Sequence, residues 1–217
     1  MNELFHVRIS GPLACFTRPE FSTERVSYEI ITPSAARGIL EAILWKPAIR
    51  WEVRRIRVLR PVKWIEFQRN EVNSRVPSRM AAFAARMNEP LRNFYASEDR
   101  AQRNTVALRE VDYSVEAQIH LTPHAGSGEG LIKFREMFLR RMDKGQHYYQ
   151  PYLGCREFPA WVEPAHPDLQ PIADSRDLGW MLHDLDFGSE IRARFFHAQM
   201  IQGIIEVPAW MTQGGAA

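Results

Sequence analysis

The stretch that most constrains this chain runs from Tyr28 to Pro47, because both ends of a helix are written into it. Thr32 offers a capping hydroxyl, and Pro33 follows at the first helical position, where no backbone N–H is needed. Ala36, Ile39, Leu40, Ile43 and Leu44 recur at intervals of three and four, so one face of the helix is apolar. Pro47 is expected to end it, since the residue before a proline is pushed out of the helical region. Arg37-Gly38 lies in its first turns. An arginine beside a residue without a side chain, near unpaired N–H groups, suits an anion such as a phosphate.

On either side of this helix the pattern is that of strands. Phe5–Ile9 alternates apolar and polar residues, and Gly11-Pro12 is expected to close that strand. Ile49, Trp51 and Val53 alternate in one phase and Ile56 and Val58 in the other, which predicts a bulge or tight turn at Arg54-Arg55. Val62–Phe67 reads as a further strand, and Thr105–Leu108 and Val111–Leu121 as two more, with Tyr113, Val115, Ala117, Ile119 and Leu121 on one face. A glycine-rich turn, residues 125–130, then leads into a second helix. It lacks the lysine and hydroxyl of a nucleotide-binding loop. On the second helix Leu131, Phe134, Phe138 and Met142 form the apolar stripe, Lys133, Arg140, Arg141 and Lys144 form a cationic side, and Gly145 supplies a stop.

Strand, helix, strand, strand, insertion, strand, strand, helix is the order over residues 1–150. It points to an α+β fold: a ferredoxin-like, RRM-like domain with both helices on one face of an antiparallel sheet. From residue 151 to 217 the texture changes to proline-rich connections and short strands near Trp161, Trp180–Phe187, Arg194–Gln202 and Ile204–Val207. These suggest a small C-terminal antiparallel β-sheet domain, with residues 213–217 as a frayed tail. Residues 68–104 read as an insertion carrying arginines 69, 75, 79, 86, 92, 100 and 103 and no lysine, with Phe83, Phe94 and Tyr95 between them. Pro77 to Met87 suits a short alanine-rich helix. Arginines interleaved with aromatics are the composition of a groove in which guanidinium groups meet phosphates and rings stack on bases.

Charge is divided unevenly. Residues 1–110 hold 19 Lys+Arg against 12 Asp+Glu, and residues 111–217 hold 9 against 14. The split suggests a first half that faces a polyanion and a second half that faces protein or solvent. Cys15 and Cys155 show neither metal-ligand spacing nor a disulfide framework, no apolar run is long enough for a membrane span, and the N-terminus lacks a signal-peptide layout. A reduced, cytoplasmic protein without cofactor or metal is expected. His183-Asp184 sits in a strand-like run with no partner histidines at ligand spacing. Trp51, Trp64, Trp161 and Trp180 alternate with polar neighbours and read as core. Phe94, Tyr95, Tyr148 and Tyr149 lie outside the apolar pattern and are the stacking candidates.

Four strings in order carry more than periodicity: Thr32-Pro-Ser-Ala-Ala-Arg-Gly-Ile-Leu-Glu-Ala-Ile-Leu-Trp-Lys-Pro47, Ile56-Arg-Val-Leu-Arg-Pro61, Leu108-Arg-Glu-Val-Asp-Tyr113 and Leu153-Gly-Cys-Arg-Glu-Phe158. Together they resemble the CRISPR-associated Cas-five family in its Dvulg variant, a component of the subtype I-C interference complex, also called Cascade. The resemblance covers most of the chain, with residues 68–104 and the tail least covered. It implies a metal-independent endoribonuclease that cuts the CRISPR repeat transcript beside its hairpin and stays on the processed guide, among the other subunits of that complex. The implied chemistry is attack of the RNA's own 2′-hydroxyl on the adjacent phosphate. That reaction needs a base, an acid for the leaving oxygen and a cation beside the developing charge.

Family members studied as nucleases use a tyrosine, a lysine and a histidine. Their positions fall here on Leu44, Lys133 and Phe134, so the resemblance retains Lys133 alone. His124 and His147 are the candidate stand-ins for proton transfer, with His120 nearby in sequence. Arg37, Lys46, Arg135, Arg140, Arg141, Lys144, Tyr148 and Tyr149 are the candidate RNA contacts. A rival reading from another class is a non-catalytic module that binds RNA and duplex DNA at the end of a guide-bound complex; Leu44 and Phe134 favour it.

Overall fold

A computed structural model of the chain describes residues 4–21, 23–74, 82, 85, 86, 95, 97–187 and 190–209. In chain order its elements are β1 (Phe5–Ala14), β2 (Arg25–Val26), α1 (Pro33–Ile43), β3 (Ile49–Val58), β4 (Trp64–Val72), β5 (Arg100–Leu121), α2 (Leu131–Asp143), β6 (Trp161–Pro164), β7 (Arg176–Phe187), β8 (Ile191–Met200) and β9 (Ile204–Glu206). The architecture is α+β, built on one large, mainly antiparallel sheet ordered β6-β1-β5-β3-β9, with β2 and β4 also pairing with β5. Among the described residues no helix is long and apolar enough to cross a membrane.

The 22-residue strand β5 is the spine of this sheet. Where two strands are expected at 105–108 and 111–121 there is one, interrupted only by Glu110 at a φ of 55°. Its first half pairs with β4 and its second half with β1 and β3. The β4–β5 ribbon, from Trp64 opposite Leu108 to Val72 opposite Arg100, takes up both ends of the expected insertion, so residues 68–72 and 100–104 are ladder. Arg75, Arg79, Arg92, Phe83, Phe94 and most of the helix expected at 77–87 lie outside the described residues, as does the tail at 213–217.

β1 does not stop at Gly11-Pro12 but runs on to Ala14. The glycine is there for clearance. A Cβ at Gly11 would stand 2.4 Å from Leu153 Cδ1 and 2.9 Å from the Pro159 carbonyl oxygen, so only a bare backbone lets the later chain cross. The phase change in β3 is a bulge: Val53 lies opposite Ala117 and Arg55 opposite Glu116, leaving Arg54 as the extra residue. Its carbonyl accepts from Val207 N–H at 2.9 Å, extending the β9 edge by one bond.

α1 begins as its sequence dictates, with Thr32 Oγ1 accepting from Ala35 N–H at 3.2 Å. It ends at Ile43, earlier than Pro47 requires. The carbonyls of that last turn find other donors: Trp51 Nε1 on Leu44 O at 2.9 Å and Arg141 on Ile43 O at 2.6 Å. Beneath the helices Trp51, Phe138 and Phe5 interlock, with ring centroids 4.6 to 5.4 Å apart, and Phe134, Leu40 and Ile56 fill around them.

The C-terminal strands part company. β6 pairs with β1 and β9 with β3, so both edges of the large sheet come from beyond residue 150. What remains of the expected appended sheet is the two-stranded β7–β8 hairpin. Trp51 is core, whereas Trp64, Trp161 and Trp180 are 44, 61 and 66% exposed. The alternation that marks them as strand residues places them on the outward side.

Candidate nucleic-acid interface

Most of the basic excess in the first half is met inside the molecule. Arg8 grips Asp112 through Nε and Nη2 at 2.9 and 2.7 Å and reaches Glu163 at 2.8 Å. Arg55 and Arg57 share Glu116 at 3.1 and 2.6 Å, Arg55 also holds Glu206, and Arg25 and Arg69 hold Glu157. Each of these acids comes from the second half of the chain. The uneven charge split is therefore largely self-complementary across the sheet, and the expected polyanion face of residues 1–110 is narrower than the composition implies.

Arg37 belongs to this set. Its guanidinium makes a two-point contact with Asp184 on β7, at 2.6 and 2.9 Å, and a third with Glu41 one turn along, at 2.6 Å. The Arg37 and Asp184 side chains are each 16% exposed. Burial alone would lower the Arg37 pKa, but the two carboxylates more than offset it and raise it further. Arg37, expected to contact RNA, is thus engaged inside the molecule, tying α1 to the β7–β8 hairpin with Asp184 as its counter-ion. His183, its neighbour, contacts Pro208 O through Nε2 at 2.8 Å.

Arg141 also has a partner inside the molecule. Its Nη1 donates to Ile43 O and places a cation at the C-terminus of α1, which has no basic residue of its own there. Tyr149 donates to Gly38 O at 3.3 Å, and burial first, then neighbouring Tyr152 and Glu41, raise its pKa, so it stays a phenol against α1. Tyr148, 86% exposed, is anchored through its backbone, N–H to Ala42 O at 2.7 Å, and its ring stands edge-on to that of Tyr149, centroids 6.1 Å apart, with most of its surface in solvent. Arg135 is half-buried and lines a shallow recess with Leu4, Phe5, His6 and Pro164, on a different side of α2 from Lys133.

A different arrangement stands at the N-terminal end of α2. Gly130 is its N-cap, without a side-chain cap, and the first turn holds no acid. Lys133 is 51% exposed in its side chain and reaches back to Glu129 at 2.9 Å. Glu129 is held below the usual carboxylate range by Lys133 first, then by the Gly126 N–H that it accepts from, and last by the charge of Lys46 in the turn after α1. Thr122, where β5 ends, is bonded to the Lys46-Pro47 turn, N–H to Ala48 O at 3.0 Å and Oγ1 to Pro47 O at 2.6 Å, which ties that turn to the loop leading into α2. Exposed His124 sits in the loop that leaves this anchor, its N–H on Thr122 Oγ1 at 3.2 Å. From Lys133 the positions at four, seven and eleven residues along the helix follow one line, and Arg140 and Lys144 stand on it, both exposed.

His147 is not part of this constellation. The chain turns back after Gly145, and His147 lies by α1, at the far end of a helix roughly 20 Å long. His120 faces Glu52, with Nε2 2.5 Å from Oε2. Leu44 and Phe134 are 0 and 1% exposed, so both are core and neither touches a ligand at the surface. The sequence reading missed the role of Glu129. Its signal was present as the i, i+4 spacing to Lys133.

Comparison with known proteins agrees with the chain's texture. Residues 5–208 match the family described as CRISPR-associated protein (Cas_Cas5), in its Cas5d model. Two proteins named CRISPR pre-crRNA endoribonuclease Cas5d are each 42% identical over 222 residues. The one from Mannheimia succiniciproducens aligns with 98% of this chain and 98% of its own length, and the one from Thermus thermophilus with 94 and 90%. In three dimensions the chain superimposes on the crystal structure of a CRISPR-associated protein with a TM-score of 0.71, at 21% identity, covering 96% of this chain and 93% of the other.

Proposed function

Because this chain belongs to the Cas5d branch of the CRISPR-associated Cas5 family, we propose that it is a pre-crRNA endoribonuclease that cuts the repeat RNA beside its hairpin and remains with the processed guide. The observation that carries the reading is the exposed Lys133–Glu129 pair beside the start of α2, which has no side-chain cap, with the charge of Lys46 near enough to act on the same carboxylate. A phosphate brought there displaces one carboxylate and gains two ammonium groups and the open N–H groups of the helix.

In this reading the RNA 2′-hydroxyl attacks the adjacent phosphorus and the 5′-oxygen leaves, giving a 2′,3′-cyclic phosphate without a metal. Lys133 faces the developing phosphorane charge, where a fixed cation is worth more than in the ground state. His124 carries the proton, since imidazole is the side chain whose charge changes near neutral pH. Lys46 and the Arg140–Lys144 line hold the phosphates on either side, and Tyr148 offers a ring to an unpaired base. The sheet order β6-β1-β5-β3, with α1 and α2 in the crossovers, supports a ferredoxin-like module in which β6 is the fourth strand. A cytoplasmic place among the other complex subunits goes with this function.

The burial of Leu44 and Phe134 favours a second reading, a subunit that binds the guide, and duplex DNA beside it, without cutting. One experiment separates the two. Purified protein is mixed with a cognate repeat hairpin in EDTA, and the products are resolved. The endoribonuclease gives one cut ending in a cyclic phosphate, abolished by a 2′-deoxy nucleotide at the scissile position. Tight binding with an intact hairpin overturns the first reading and leaves the second.

A further inference from the structure

Cys15 and Cys155 stand 140 positions apart in sequence and side by side in the fold. Cys15 follows β1, and its N–H donates to Leu153 O at 3.0 Å. Gly154 makes the approach possible. Its φ is +82°, and a Cβ there would stand 2.0 Å from Cys15 O, so the 153–155 segment lies flat on β1's end only because that position is bare. Cys155 Sγ consequently comes to 3.7 Å from Cys15 O, which brings the two cysteines together. Arg25 points Nη1 at Cys155 Sγ from 3.3 Å, while its other contacts run to Glu71 and Glu157. Thr17 Oγ1 stands 3.6 Å from the Cys15 sulfur. Cys155 is 8% exposed and Cys15 is fully enclosed.

We propose that Cys155 and Cys15 form a peroxide-responsive dithiol pair, with Cys155 the sulfur that reacts first and Cys15 the one that resolves it into a disulfide. A reactive thiol needs a cation beside it, a path to solvent and a second thiol within reach; Arg25, the exposed edge of Cys155 and Cys15 supply these in turn. Neighbouring Cys15 first, and then the Arg25 guanidinium, lower the Cys155 pKa against the opposing effects of burial and the Glu157 carboxylate. Neighbouring Cys155 and burial raise that of Cys15.

The chemistry balances with hydrogen peroxide as the oxidant. Cys155 thiolate attacks one peroxide oxygen, the O–O bond breaks, and hydroxide leaves to take up a proton, giving a sulfenic acid and water. Cys15 sulfur then attacks the sulfenic sulfur, its own proton leaving with the hydroxyl as a second water. Two thiols lose two electrons, and peroxide gains them. The link ties β1's end to the 153–155 segment and removes the anion that Arg25 faces.

The test uses the whole chain. Protein is treated with equimolar hydrogen peroxide, quenched with N-ethylmaleimide and digested without reductant for mass spectrometry. The proposal expects loss of both maleimide adducts and a linked peptide pair holding Cys15 and Cys155, lighter by two hydrogens and separated by dithiothreitol. In Cys15→Ala, dimedone should capture a sulfenic acid at Cys155, whereas Cys155→Ala should leave Cys15 unoxidised. Full maleimide labelling of both thiols after peroxide overturns the proposal, as does sulfinic acid at Cys155 without a link. Should Cys15→Ala fail to fold, the peptide map of the unaltered chain decides alone.

Discussion

Arg37, the fifth residue of α1, and Lys133, the third of α2, are both cations near the start of a helix, and the fold treats them oppositely. Arg37 is enclosed between Asp184 and Glu41, with three close contacts to carboxylates. Lys133 is half-exposed, with a flexible contact to Glu129, its ammonium 5.7 Å from the centre of the Phe134 ring, and a second cation nearby. The side chains suit this division. A planar guanidinium fits a two-point carboxylate contact, while an ammonium on a flexible stem exchanges one anion for another at little cost. A cation at a helix start therefore does not identify an anion site until its own counter-ions have been counted.

The sharpest way to break that comparison is Lys133→Ala. Removing one charge stabiliser from a phosphoryl-type transition state should slow hairpin cleavage by about 100- to 1,000-fold. The thermal midpoint should not move, and hairpin affinity should fall by less than about threefold. Single-turnover kinetics beside a binding titration gives both numbers. Equal losses in rate and affinity would make Lys133 a grip residue.

Arg37→Ala should do the reverse. It leaves two carboxylates facing each other in a largely enclosed site, so stability should fall by about 2–3 kcal/mol, below the full cost of a wholly buried pair because some solvent reaches it. Denaturant unfolding measures the loss, and cleavage per folded molecule should stay within about threefold. A cleavage defect as large as that of Lys133→Ala, in protein that is still folded, would return Arg37 to the RNA.

How much of this contrast was legible follows from where each partner lies. The Thr32 cap, the Arg54 bulge and the apolar stripe of α2 depend on neighbours within a few residues, and the sequence shows them. The Arg37–Asp184 pair spans 147 positions and the Cys15–Cys155 pair 140, and no local pattern encodes either. β1 illustrates the same limit. Gly11-Pro12 has the local look of a terminator, yet the glycine answers to Leu153, which arrives from the far end of the chain. The Lys133–Glu129 pair, by contrast, spans four residues, and its spacing is visible in the sequence.

Lys46→Ala sharpens the comparison at smaller amplitude. If Lys46 meets a phosphate, the variant should weaken hairpin binding by roughly fivefold and make the slope of log affinity against log salt shallower by about 0.7 to 0.9, the value of one phosphate contact. An unchanged slope would remove Lys46 from the interface.

The smallest effect tests Glu129 itself. If this carboxylate holds the two lysines until RNA arrives, Glu129→Gln should tighten hairpin binding, by about two- to threefold at low salt and less at high salt. The pH dependence has a fixed sign. Lys133 and Lys46 hold the carboxyl below its ordinary range, so the ion pair is intact above the unfolded carboxyl's pKa and is lost only as pH falls through the lower folded value. Between about pH 5 and 8 Glu129 stays charged, and the ratio of the two affinities should be flat. A ratio that changes across that interval would mean that another titrating group, with His124 the nearest to test, controls access to the lysines. Weaker binding by Glu129→Gln would mean that the carboxylate orders the loop from Gly126 and does not compete with the phosphate.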